Sequence, residues 1–206
     1  MTPLLIFGDS WPYGAELKQN ELAYGDLIAA HLGQTCCNFS QPSTSIPHLL
    51  LQLRTAIDQG HGDCTAVFFL TGVDRDLVWY YGNTRELNPT QPSDVDWYAK
   101  YNSPELTAYR VNTTLIALQA MCAKYNIRDY YIWGWDQVDL WPEVDTDRMH
   151  QQTVADVFLE DKNVPQSSKI MHLKNSRNQY IWPNLGHPNQ LGHQRIADLL
   201  QEWICT

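Results

Sequence analysis

Nowhere among its 206 residues does the chain stay apolar for long enough to cross a bilayer, and no basic segment followed by an apolar core opens it. The sequence therefore points to a cytosolic protein, or to one released without an amino-terminal signal, by lysis or within a virus particle. Basic residues are scarce too: 14 Lys and Arg stand against 23 Asp and Glu, a formal net charge of -9. Phosphate neutralisation needs clustered cations, so neither a nucleic-acid face nor a membrane-binding one is expected. Cysteine is sparse and irregular. The set Cys36, Cys37, Cys64, Cys122 and Cys205 is odd in number and matches neither a disulfide framework nor a zinc site. It reads as small buried hydrophobes in a reducing compartment. The acids Asp9, Asp74 and Asp76 lack calcium-loop spacing, the glycine motifs are too thin to cradle a phosphate, and no metal or other cofactor is called for.

What is present suits a globular protein. Hydrophobic residues make up 44% and charged residues 18%, enough apolar mass for a full core. The length fits one domain over residues 1–206, with no repeat and no linker. Leu4–Phe7 is an apolar strand. Glu21–Leu32 has helical spacing and stops at Gly33, and Thr35–Phe39 is a second strand. Ile46–Ile57 is predicted as a helix, capped by Ser45 with Pro47 in its first turn. The unbroken apolar run Thr65–Leu70 has the character of a central strand buried on both faces. Pro104–Lys124 is the strongest helix, with Ser103 as cap and Leu106, Val111, Leu115, Leu118 and Met121 on one stripe. Arg128–Trp133 is a fourth strand, and Pro188–Ile204 a closing helix with Leu191, Ile196, Leu199, Leu200 and Trp203 facing inward. Residues 72–103 and 134–166 follow neither period and are taken as excursions, with a helical turn or two around Gln151–Leu159. Strands alternating with helices make the fold class α/β with a mostly parallel sheet.

Two segments carry chemistry. Gly8-Asp9-Ser10 follows the first strand, where an α/β sheet presents reactive groups at its carboxyl edge. Near the other end, His187 lies in a Gly-His-Pro turn just ahead of the last helix. An imidazole within reach of a serine hydroxyl takes its proton and makes it a nucleophile. His187 and His193 are out of phase for a helical metal pair, and His193 is placed on the helix surface. Aromatic residues gather at the same edge: Trp11 and Tyr13 flank Ser10, Tyr80 and Tyr81 follow the third strand, and Trp133 and Trp135 end the fourth. Flat rings around a polar cleft suit sugars or acyl chains, although core packing explains Trp133 and Trp203 equally well.

With these residues in view, the sequence resembles the SGNH (GDSL-type) hydrolases. Gly8-Asp9-Ser10 looks like their nucleophile block, and Asn184-x-x-His187-Pro188 looks like their closing Asp-x-x-His block. The resemblance implies a three-layer α/β/α, flavodoxin-like fold and a serine esterase acting on a small-molecule or glycan ester. Ser10 would then be nucleophile, His187 base and Asn184 the residue that orients the ring. The Ser10 and Ser43 amides would bind the oxyanion, with Asp74 and Arg75 lining the same pocket. Three positions depart from the family pattern. Ser43 stands where the family has an amide-donating glycine, Asp74 where it has an oxyanion-binding Asn, and Asn184 where it has Asp. A carboxylate at 74 cannot donate to an oxyanion, and an amide at 184 brings no charge to the imidazolium. Two readings stay open: a serine esterase, active or slow, and an impaired module of the same fold that binds glycan or a protein partner through its aromatic loops.

Overall fold

In a computed structural model that describes residues 2–80, 83–89, 91–159, 173, 178–182 and 186–205, four parallel strands form the central sheet. Its order is β2 (Cys36–Asn38), β1 (Leu4–Phe7), β3 (Thr65–Leu70), β6 (Arg128–Trp133). Side chains alternate across each strand, and this divides the core in two. Leu4 and Ile6 of β1, Val67 and Phe69 of β3 and Ile132 of β6 point to one face. There they meet α2 (Tyr24–His31), α6 (Val154–Leu159) and α7 (Gln190–Ile204). Leu5, Phe7, Ala66, Phe68, Leu70 and Tyr131 point to the other, against α3 (Leu49–Asp58) and α5 (Pro104–Lys124). Both faces are covered, so β1 and all of β3 beyond Thr65 are buried and apolar, as parallel strands require. The result is the three-layer α/β/α arrangement expected.

α5 follows its sequence signals to the residue. Ser103 Oγ accepts from the Leu106 N–H and Pro104 takes the first helical position. Leu106, however, is exposed, and the buried face includes Asn112. That side chain donates to the carbonyls of Ala108 and Asp139 and accepts from the Trp141 N–H, so it ties the loop after β6 to the helix. α3 starts later than predicted, at Leu49 after His48, and Ser45 is buried rather than capping.

The first excursion has structure of its own. It holds an antiparallel pair, β4 (Asp76–Tyr80) and β5 (Asn83–Leu87), and the short α4 (Val95–Tyr101). Ion pairs of Arg85 with Asp94 and of Arg110 with Asp76 fasten it to itself and to α5. Two further expectations fail on helical phase. His193 is fully buried and Leu191 is half exposed. His193 stands three and four residues ahead of the buried Ile196 and Ala197, on the inward stripe of α7, whereas Leu191 lies off it. Of the cysteines, Cys64 and Cys122 are buried, Cys36 and Cys37 are partly covered, and Cys205 is exposed. Among the described residues no helix is long and apolar enough to cross a membrane.

Candidate active site

β1 ends on Gly8, whose backbone has φ +150°, and a Cβ there would lie 2.5 Å from Pro12 Cγ and 2.9 Å from Phe69 Cβ. Only glycine fits. The peptide is clamped from α3: Gln52 Oε1 accepts from the Gly8 N–H and Gln52 Nε2 donates to the Gly8 carbonyl, each at 2.9 Å. Gln41 N–H and Thr44 Oγ1 also donate to that carbonyl, at 3.0 Å each. The loop after β2 is thus held directly against the end of β1. The chain then turns into α1 (Ser10–Tyr13), a single helical turn that ends at Gly14.

Asp9 organises this corner. It is fully buried, accepts from the Trp11 N–H at 2.9 Å and from Thr71 Oγ1 at 2.6 Å, and pairs with Arg75 Nη1 at 2.9 Å. A buried carboxylate needs such partners to stay in place. Because Thr71 and Arg75 belong to the loop after β3, Asp9 locks that loop to the turn that carries Ser10. Arg75 Nη1 thus meets Asp9, Thr71 Oγ1 and the carbonyl of Thr44, the residue after Ser43, and its guanidinium lies over the face of Trp135.

Ser10 is 8% exposed, and its Oγ lies 2.9 Å from His187 Nε2. The residues are 177 apart in sequence. A small bridge between Ile181 and Pro188 holds the histidine turn, with Trp182 N–H donating to the His187 carbonyl and Asn189 N–H to that of Tyr180. Asn189 then caps α7 by accepting from the Gly192 N–H. On the other side of the imidazole, Glu16 Oε2 lies 2.9 Å from Nδ1. This carboxylate sits off the N–H axis, so the two groups are in contact without an aligned hydrogen bond. No sequence pattern marked Glu16 or Gln52.

Ser43 adopts φ +66°, the left-handed conformation that a glycine would take freely. Its N–H, like that of Ser10, has no hydrogen-bond partner among the described residues. Ser43→Gly is expected to raise stability by up to about 1 kcal/mol, the left-handed strain less the added freedom of the unfolded chain. The urea midpoint at constant m-value measures it.

Other expected site residues lie elsewhere. Trp11 is 2% exposed and packs on Phe69, Trp135 and Phe158, so it is core and no cleft wall. Trp133 and Trp135 are buried as well. Tyr13, in contrast, is exposed at the end of the single turn that Ser10 begins. Asp74 lines a cavity of about 500 Å³ between the start of α5 and the loop after β6, with Asn102, Thr107 and Val138, and neither Ser10 nor His187 reaches it. Though exposed at the surface, its carboxyl is raised above the ordinary value by partial desolvation, with Arg75 pulling the other way. Asp9 pairs with Arg75 and Asp76 with Arg110, so the three acids do not converge. Asn184, Tyr81 and the side chain of Tyr80 lie outside the described residues.

No family model matches the sequence, and no curated protein does. Solved structures do. A G-D-S-L family protein from Desulfitobacterium hafniense superposes over 98% of this chain and 99% of its own, at 10% identity and a TM-score of 0.56. A lipase from a goat rumen metagenome covers 98% and 97% at 10% identity and 0.55. An acetylxylan esterase from Geobacillus stearothermophilus covers 98% and 94% at 13% identity and 0.52. The chain has the SGNH hydrolase fold. Within the SGNH frame the turns after β1, β2 and β3 and the histidine turn before α7 converge at one edge of the sheet, where Ser10, Ser43 and His187 stand. In the turn after β3, Arg75 faces Asp9 and Asp74 faces a separate cavity.

Proposed function

We propose that the protein is a serine-dependent ester hydrolase. The observation that carries this reading is the 2.9 Å contact between Ser10 Oγ and His187 Nε2. That distance lets imidazole accept the hydroxyl proton as Oγ attacks an ester carbonyl. The tetrahedral oxyanion is met by the amide N–H groups of Ser10 and Ser43. Collapse expels the alcohol, which takes the proton back from His187, and leaves an acyl group on Ser10. Water, deprotonated by His187, then releases the acid and restores the serine. Every proton is accounted for by one imidazole.

The neighbouring folds include an acetylxylan esterase and a lipase, and the exposed Tyr13 beside Ser10 favours a ring-bearing substrate. An O-acylated glycan is the substrate class that fits both. The purified protein is expected to release acetate from acetylated xylan and from p-nitrophenyl acetate, with Ser10→Ala inactive on both. Hydrolysis by wild type and Ser10→Ala at the same rate would remove Ser10 from the chemistry. Ser10-dependent hydrolysis of the aryl ester with no acetate released from xylan would keep the enzyme and discard the glycan.

Because Asp74 lines a cavity to which neither Ser10 nor His187 contributes, Asp74→Asn is expected to change kcat/KM by less than about threefold, where loss of a true oxyanion donor costs on the order of 10²–10³. Steady-state kinetics on the aryl ester checks this.

A further inference from the structure

The imidazole of His187 is bracketed. Its Nε2 meets Ser10 and its Nδ1 meets the Glu16 carboxylate, both at 2.9 Å. Among the described residues Glu16 is the acid at ion-pair distance from this ring. A carboxylate only accepts, so a proton between the two belongs on Nδ1, and Nε2 is left with its lone pair toward the serine hydroxyl. The tautomer needed for base catalysis is the one that Glu16 selects.

How the chain brings Glu16 there is also informative. α1 ends after one turn, and the Ala15 N–H donates to the carbonyl of Ser10 itself, at 3.0 Å. Leu17 N–H closes the next turn on the Gly14 carbonyl at 3.2 Å. Glu16 between them is held at φ +71°, a left-handed conformation that a long side chain adopts only at a cost. No hydrophobic anchor explains that cost, because the Glu16 side chain is 29% exposed. Strained backbone kept where a side chain touches a reactive group has a ready reason, which is the contact itself.

From these two independent features, the 2.9 Å approach to Nδ1 and the strained turn tied to Ser10, we infer that Glu16 is the positioning carboxylate of the pair. It takes the part that an acid three residues before the histidine would play, a position occupied here by Asn184. Nucleophile and acid then come from one seven-residue stretch, Ser10 to Glu16, and only the base comes from the far end of the chain. The approach is off-axis here, and catalytic hydrogen bonds are often poorly aligned until substrate is bound. This inference rests on the esterase reading above.

Two variants separate a positioning role from a structural one. Glu16→Gln keeps the shape and removes the charge. Glu16→Gly removes the side chain and relieves the strained φ. Both are expected to lower kcat on p-nitrophenyl acetate by about 10²–10⁴-fold, with KM changed by less than about threefold. Glu16→Gly is expected to melt at the wild-type temperature or above it. Loss of rate together with unchanged or higher Tm is the signature of a residue held in place for the chemistry. Equal kcat in wild type and Glu16→Gln would overturn the inference. So would a fall in kcat matched by a fall in Tm in both variants. A fluorophosphonate probe keeps the two readings apart. A wild type that labels at Ser10 with both variants labelling equally fast defeats the Glu16 inference alone, and a folded wild type that does not label defeats both.

Discussion

His187→Ala is expected to lower kcat for ester hydrolysis by on the order of 10⁶, about as much as removing the nucleophile itself, because groups that act as a unit fail together. The expectation follows from the single imidazole doing both proton transfers. Without it the Ser10 hydroxyl attacks as a neutral alcohol and the leaving alkoxide finds no acid. The oxyanion amides of Ser10 and Ser43 are untouched, so a residual rate above that of water remains. KM should change little. Stability should change by only about 1 kcal/mol, since the side chain is a quarter exposed and the cap of α7 is supplied by Asn189. Circular dichroism and the urea midpoint establish that the variant is folded, and initial rates give the loss. A drop smaller than about tenfold would mean that another group takes the proton.

The second histidine of the same segment behaves in the opposite way. His193 is fully buried on α7, and its Nδ1 accepts the Tyr24 N–H at 3.1 Å, a bond that only an unprotonated nitrogen can make. Burial pushes its pKa down to about 4, and nearby His187 adds a smaller push in the same direction. The unfolded chain protonates this imidazole near 6.5. Between those two values the unfolded state binds a proton that the native state does not. Stability from this group is therefore complete above about pH 6.5 and is lost as the pH falls, the loss ending near pH 4. At about 1.4 kcal/mol per pH unit, roughly 3 kcal/mol is at stake. His193→Gln, whose Oε1 can accept the same N–H, should show a flatter acid limb. Urea midpoints of the two proteins at about pH 7 and about pH 4.5 isolate the difference from the carboxylates, which both share. Parallel acid limbs would refute the assignment.

How much of this was legible in the sequence depends on whether a pattern reports the cause. β3 was plain, because a strand covered on both faces must be apolar throughout, and Thr65–Leu70 is. α5 was plain because Ser103 and Pro104 are local signals with local causes. The Ser10–His187 pair was readable only because each sits in a recognisable turn at a strand or helix end. His193 was placed on the surface and Leu191 inward, whereas the spacing of His193 to Ile196 and Ala197 sets the histidine on the buried stripe. Trp11 went astray for a related reason. A tryptophan next to a nucleophile looks like a wall, but the turn of α1 swings it onto Phe69 and Phe158. The β4–β5 pair was hidden in a segment held by ion pairs, which leave no hydrophobic period. Glu16 could not be read at all, since its contact with a ring 171 residues away depends on a left-handed turn that no neighbouring residue announces.

Asp9, Gln52 and Thr44 show why the site depends on more than its reacting atoms. All three spend their polar groups on the Gly8–Ser10 backbone or on the loops beside it. In the proposed hydrolysis, these bonds hold the Ser10 backbone in place, so part of the entropic cost of reaction would be met in the folding of the chain.

The account stands most directly on whether Ser10 is an activated nucleophile. The measurement is reaction of the folded protein with a fluorophosphonate, followed by peptide mass spectrometry, on wild type and His187→Ala side by side. One phosphonyl group on Ser10 in wild type, and none at equal time in His187→Ala, is the predicted result. A folded wild type left unmodified at Ser10, or a His187→Ala variant labelled just as fast, would contradict it.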